Sequence, residues 1–183
     1  MAIYFDNPGP ENTDETLRIA FDMAVARSID SVVVASTTGE TAERAMAFFK
    51  QCNCRLIIVT HNTGFKQSGE QQFSQKIREK LEKEGVVVYT GTMALRNIGS
   101  AIRKKFGFSE EELINATLRI MGQGVKVGVE MAAMVCDAGL VPPEEIITVA
   151  GTARGADTAL IVKADSSNHF FDIRVREILA KPR

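Results

Sequence analysis

Four short runs rich in β-branched residues alternate with stretches of helical periodicity, and this alternation restricts the fold more than any other feature of the chain. The runs are Ser31-Val32-Val33-Val34-Ala35, Arg55-Leu56-Ile57-Ile58-Val59-Thr60, Val86-Val87-Val88-Tyr89 and Glu145-Ile146-Ile147-Thr148-Val149-Ala150. Runs this short, with few polar interruptions, read as strands buried on both faces. Strands joined through helices are parallel. A fifth strand over 158–164 follows the fourth after too short a gap for a crossover, so it returns antiparallel. A sixth is predicted over 171–179. The expected fold is a three-layer, doubly wound, mostly parallel α/β sheet with an antiparallel edge. A length of 183 residues fits a single domain over 1–183.

The helices have recognisable starts and stops. Asn12, with Glu15 three positions on, has the spacing of a capping box, and Leu17, Ala20, Phe21, Ala24 and Val25 form one apolar face after it. Further helices are predicted over 40–49, over 70–84 on Phe73, Ile77 and Leu81, and up to Phe106-Gly107. Ser109 with Glu112 starts another at Glu110, and the pattern leaves open whether it continues through Gly122-Gln123-Gly124. Residues 125–138 are apolar almost all round, with Gln123, Lys126, Glu130 and Asp137 as a narrow polar stripe. Such a helix is covered by more than one neighbour, a second subunit among the candidates, and a homo-oligomer is expected.

A net charge of −1 advertises neither nucleic acid nor an anionic membrane as a partner. The basic cluster Arg103-Lys104-Lys105 complements a helix end. Cys52-Asn53-Cys54 is too closely spaced for a zinc site, and with Cys136 the cysteines read as three free thiols in a reducing compartment. The first residues lack the basic start and apolar core of a signal peptide, and no apolar run has membrane-spanning length, so a cytoplasmic location is expected.

Ser36-Thr37-Thr38-Gly39-Glu40-Thr41 lies between the first predicted strand and its helix. A helix start offers unpaired N–H groups and a partial positive charge, and the hydroxyls add donors, so this turn suits a phosphate. Thr37 and Glu40 also have capping-box spacing, which would complete the helix start with no ligand. Three more loops leave predicted carboxyl ends of strands. They contain His61 and Asn62, Thr92, and Gly151, Thr152, Arg154, Asp157 and Thr158. Doubly wound sheets bind ligands at that edge. Arg154 can hold a phosphate or pair with Asp157. Gly122, Gln123 and the following glycines resemble a dinucleotide fingerprint, but the strand required in front of it is doubtful, and close helix packing is the simpler role. Lys126 and Glu130 are one turn apart and can pair or line the pocket. His61 can act as an acid or base or hold a ligand, while His169 lies in a polar loop. No P-loop motif is present.

At the strand-turn-helix the chain resembles the C-terminal α/β domain of pyruvate kinase. In that family a hydroxyl-rich loop holds a phosphate of the sugar bisphosphate activator. Ser36, Thr37, Thr38, Gly39 and Thr41 match that loop, and the stretch from Glu145 to Gly155 is similar to the strand and loop closing the same site. The whole chain looks like a small stand-alone archaeal and bacterial family of this fold. That resemblance rests on Phe5-Asp6-Asn7-Pro8-Gly9-Pro10-Glu11-Asn12-Thr13, on residues 34–41, on 122–127 and on 151–158. It implies flavin mononucleotide as ligand and cofactor. It implies no pyruvate kinase activity, because that family's chemistry sits in a separate barrel. The function expected from the sequence is binding of a phosphorylated small molecule at the carboxyl edge of the sheet. A sugar-phosphate or nucleotide sensor and an NAD(P)-binding domain are the alternatives, and no metal is expected.

Overall fold

The computed structural model describes residues 2–50 and 52–183. Seven strands form one mixed, mostly parallel sheet in the order β1-β7-β6-β5-β2-β3-β4. They are β1 (Ile3–Phe5), β2 (Ser31–Ala35), β3 (Arg55–Val59), β4 (Val87–Tyr89), β5 (Glu145–Ala150), β6 (Thr158–Lys163) and β7 (Arg174–Pro182). Only β6 runs against its neighbours. The expected antiparallel edge is therefore an interior strand. The edge beyond it is β7 and then β1, which pairs parallel to β7 through Ile3 and Ala180. β1 escapes the sequence reading because three residues carry no period. Both outermost strands are three residues long, which limits the unpaired backbone offered to another chain.

Helices cover both faces. α1 (Thr13–Arg27), α2 (Glu40–Phe49) and α3 (Gln75–Lys83) pack on one. Their Leu17, Ala20, Ala42, Ala45, Met46 and Leu81 meet Val32, Val34, Ile58, Ile147 and Val149. The alternate residues Val33, Ile57, Ile146, Leu160 and Val162 face the other side, against α6 (Gln123–Asp137). This is the period-two alternation of a strand, with both faces apolar because both are covered. α4 (Asn97–Phe106) and α5 (Glu110–Arg119) complete the helices.

Several expectations change. Asn12 makes no cap; its side chain donates to the Asn7 carbonyl at 2.8 Å, and Glu15 pairs with Arg18 instead. Val25 is 58% exposed, so the buried face of α1 stops at Ala24. α3 starts at Gln75, with Ser74 accepting from Ile77 N–H; the stretch before it is irregular, with Gln71 tied to the His61 carbonyl and the Phe73 N–H. Ser109 does cap α5, accepting from Glu112 N–H. Cys52 and Cys54 are paired by the tight turn between α2 and β3, not free; Cys136 is free, and burial pushes its thiol up to about 11. The apolar sides of α6 are covered within the chain by the sheet, α5 and the turn at Phe170. Exposed apolar side chains gather instead on α4 and α5, at Ile98, Phe106 and Leu113, and beyond them at Ile120. Among the described residues, no helix is long and apolar enough to cross a membrane.

The glycines of α6 let it approach the sheet closely. A Cβ on Gly128 would lie 2.7 Å from Thr148 Oγ1 and 2.8 Å from Leu160 Cδ1, and one on Gly124 would meet Thr158. Gly128→Ala should gain ~1 kcal/mol of helix propensity but lose ~1–3 kcal/mol to overpacking against two β-strands. Urea denaturation should show a net loss of stability.

Candidate functional site

β5 lies beside β2, parallel to it, although five helices and two strands separate them in the chain. α2 leaves β2 on one face of the sheet, and α6 feeds β5 from the other. The strand order reverses between β2 and β5, and a crevice opens there outside the carboxyl ends of the strands. It is a cleft of about 570 Å³, within the usual size for a small-molecule site. All four expected loops contribute to it. Ser36, Thr37, Thr38, Glu40 and Thr41 come from the β2–α2 turn, His61, Phe65, Lys66 and Gln72 from the segment after β3, and Arg96 from the one after β4. Gly151, Ala153, Arg154 and Gly155 come from the β5–β6 loop, and Gln123 and Val127 from α6.

The start of α2 is capped, but not by the Thr37–Glu40 box that was the alternative to a ligand. Ser36 is buried, and its Oγ accepts from Gly39 N–H at 3.2 Å and from Ala42 N–H at 3.3 Å. Thr37 and Glu40 make no cap. Gly39, at φ 111°, leaves space for the Ile77 side chain, whose Cδ1 would sit 2.7 Å from an added Cβ. The missing side chain thus makes room for α3, and Gly39 is not among the residues that line the cleft. Among the described residues, no atom accepts from the N–H groups of Thr37, Thr38, Glu40 or Thr41. These four donors, with the three threonine hydroxyls, remain for whatever enters the cleft. The helix dipole adds partial positive charge at the same corner.

The remaining walls are cationic and aromatic. Lys66, Arg96 and Arg154 line the cleft against one carboxylate, Glu40. The His61 ring stacks on Phe65 at 3.9 Å between centroids, and the Arg96 guanidinium lies 4.7 Å from the Phe65 centroid on a cation–π contact. Burial holds His61 below its ordinary value of 6.5, against the opposing hydrogen bond to Gln72. Arg96 is positioned by its neighbour Leu95, whose N–H donates to Glu130 Oε1 at 2.8 Å and whose carbonyl accepts from Asn115 Nδ2 at 2.6 Å. Gln123 Oε1 is engaged by Arg119 at 2.8 Å.

Other predicted site residues have structural work. Asp157, fully buried, accepts from Gly9 N–H, Thr152 N–H and the Thr158 hydroxyl, and it does not pair with Arg154. The Thr13 hydroxyl accepts from Ala156 N–H, so the N-terminal turn clamps the β5–β6 loop. That loop holds Ala153 at φ 65°. Arg154 is thereby left exposed and unpaired at the cleft rim. Thr158 packs under Gly124, while Asn62, Thr92, Gly122 and Thr152 do not line the cleft. Gly122 opens α6 directly after α5, so the strand a dinucleotide fingerprint requires is a helix. His169 lies in the exposed turn before β7, away from the cleft lining. Among the described residues, no cluster of His, Cys, Asp or Glu could hold a metal ion. Phe65, Lys66 and Arg96 were missed individually. They lie within loops already marked, but nothing in a loop's composition says which side chain turns inward.

Lys126 and Glu130 form a wholly buried pair on α6, with Lys126 Nζ 2.5 Å from Glu130 Oε2. Burial pulls the Lys126 amine down, against the Glu130 carboxylate that opposes the shift. The pair lines a smaller annex of about 80 Å³ that joins the cleft.

No family model matches this chain. In structure the chain is similar to the Cryptosporidium parvum pyruvate kinase in complex with ADP, with a TM-score of 0.44 and 14% identity over 83% of this chain and 23% of that one. A second pyruvate kinase structure from the same organism is similar at a TM-score of 0.45 and 14% identity, over 83% of this chain and 22% of that one. The chain thus spans less than a quarter of the length of either.

Three outcomes follow from this geometry. Ser36→Ala should cost about 1 kcal/mol in chemical denaturation, because two helix-start N–H groups lose their acceptor. Lys126→Met should cost ~3–5 kcal/mol by stranding Glu130, whereas Lys126→Met with Glu130→Gln should recover most of that loss. The lowered His61 value means that the unfolded chain binds its proton first. Stability should therefore fall as pH drops below 6.5 and through the folded value, and thermal melts of His61→Gln should show a flatter dependence.

Proposed function

We propose that this protein binds a phosphorylated small molecule carrying a planar ring, with flavin mononucleotide as the best single choice. The observation that carries the reading is the corner at the start of α2. Four backbone N–H groups there, those of Thr37, Thr38, Glu40 and Thr41, have no internal acceptor and border a cleft with three cationic side chains. Ser36 already closes the helix start, so the donors left over are not needed for capping. A dianionic phosphate matches them in charge and in hydrogen-bonding sense. Arg154 and Lys66 add charge around it, and the His61, Phe65 and Arg96 stack offers a flat wall for a ring.

The residues fit flavin mononucleotide in chemistry: donors for the phosphate and an aromatic wall for the ring. When bound, the flavin would supply the redox chemistry, and the protein would orient it. The same phosphate corner would serve a sugar phosphate or nucleotide, which an effector-sensing role would use.

The absorption spectrum of the purified protein, and a titration with flavin mononucleotide followed by flavin fluorescence, test the reading. Arg154→Ala should weaken binding about tenfold, the loss of a charge-assisted contact of ~1.5 kcal/mol. Its melting temperature should not move, because Arg154 makes no internal contact that the fold uses. Thr38→Ala, also exposed, should act in the same direction. Wild-type protein that binds neither flavin mononucleotide nor inorganic phosphate would overturn the proposal.

A further inference from the structure

Along α6, eleven residues are buried, and only two of them are charged. Lys126 and Glu130 are each 1% exposed and sit one helical turn apart. A buried ion pair adds little stability over apolar side chains of the same volume, because desolvating both charges offsets their attraction. What the pair faces is therefore more informative than the pair itself. It faces the 80 Å³ annex, which shares His61, Arg96 and Gln123 with the main cleft. Met93, Met131 and Met134 line it as well.

Donors and acceptors in the annex do not balance. Both Glu130 oxygens are taken, one by Leu95 N–H and the other by Lys126. The ammonium has three N–H donors. Among the described residues, only Glu130 accepts from it. The other donors are buried in an annex lined by Met93, Met131 and Met134 together with Thr60, His61, Arg96 and Gln123, and none of these polar side chains accepts from them. A hydrogen bond to a buried charged group is worth more than one between neutral groups, so an acceptor that enters the annex gains a partner that no side chain there takes up. The pair is neutral as a unit; Arg96 adds a positive charge to the lining, but the Glu130 carboxylate stands beside the free donors and opposes an anion there. A neutral acceptor therefore suits the annex better than a phosphate, and an amine, which offers only donors when protonated, does not suit it.

We propose that the annex is a ring-edge subsite: it takes a carbonyl oxygen or unprotonated ring nitrogen on the edge of a planar heterocycle, with Lys126 as the donor. This rests on the reading of the cleft as a site for a phosphorylated ring compound and narrows it to rings with an acceptor-bearing edge. Lys126 sets specificity; Glu130 holds the ammonium in place and, through Leu95, the segment that carries Arg96.

The test uses the full chain and two probes, flavin mononucleotide and inorganic phosphate, each titrated against wild type and against Lys126→Met with Glu130→Gln. The Gln amide keeps an acceptor for Leu95 N–H, and the Met thioether keeps the length of the Lys stem, so the doubly substituted chain should remain folded, as circular dichroism can verify. The expected result is a loss of about tenfold or more in affinity for flavin mononucleotide, with phosphate affinity unchanged. Equal flavin mononucleotide affinity in the two proteins overturns this inference and leaves the phosphate reading standing. A matching loss for phosphate also overturns it, because the annex would then serve the phosphate itself. If wild type binds neither probe, both readings fall together.

Discussion

The return of the chain from β4, at one edge of the sheet, to β5 beside β2 is the constraint on which the rest of the molecule depends. Because β5 pairs with β2 in parallel, the carboxyl ends of β2, β3, β4 and β5 share one edge. Because α2 and α6 occupy opposite faces, nothing fills the space above the junction. The cleft follows from connectivity, before any side chain is chosen. The glycines of α6 then bring that helix close enough for Gln123, Lys126 and Val127 to line the space.

Within that frame, polar groups divide between those the fold consumes and those it leaves over. Ser36 and Asp157 are consumed. One closes the start of α2, and the other ties the N-terminal turn to the β5–β6 loop. Buried groups with such full sets of partners make rigid surroundings. The groups left over, namely the N–H donors of 37, 38, 40 and 41 with Arg154 and the free donors of Lys126, all border the cleft or its annex. Elsewhere, buried oxygens of Asn62, Glu111, Asn115 and Thr148 also have no partner among the described residues, and none of them lines the cleft or its annex. What sets the donors at the cleft apart is that they lie together, beside Arg154 and Lys126.

Legibility in the sequence varied with the kind of signal. The buried strands were readable because a run of Val and Ile with no polar interruption has few other stable placements. The loops at the site were readable as loops because each follows such a strand. Which residue in a loop faces inward was not readable: Arg96 points into the cleft because Glu130 and Asn115, 34 and 19 positions away, hold the neighbouring backbone. The cap-like spacing at Asn12, and the alternative box at Thr37 and Glu40, led to no cap for one reason. A side chain with cap-like spacing is free to choose a different partner, and Asn7 and Ser36 changed the competition.

The sequence by itself determined the alternation of strands and helices, the two-sided burial of the sheet and the placement of polar loops at its carboxyl edge, because these depend on local periodicity. Only the tertiary structure decided that β6 is an interior strand with β7 and β1 beyond it, since strand order is set by long-range pairing that no local pattern encodes. It also decided which donors found an acceptor inside the chain and which, among the described residues, did not. That division is settled by where distant backbone segments come within hydrogen-bonding reach of one another, at distances near 3 Å, and no spacing along the chain records it.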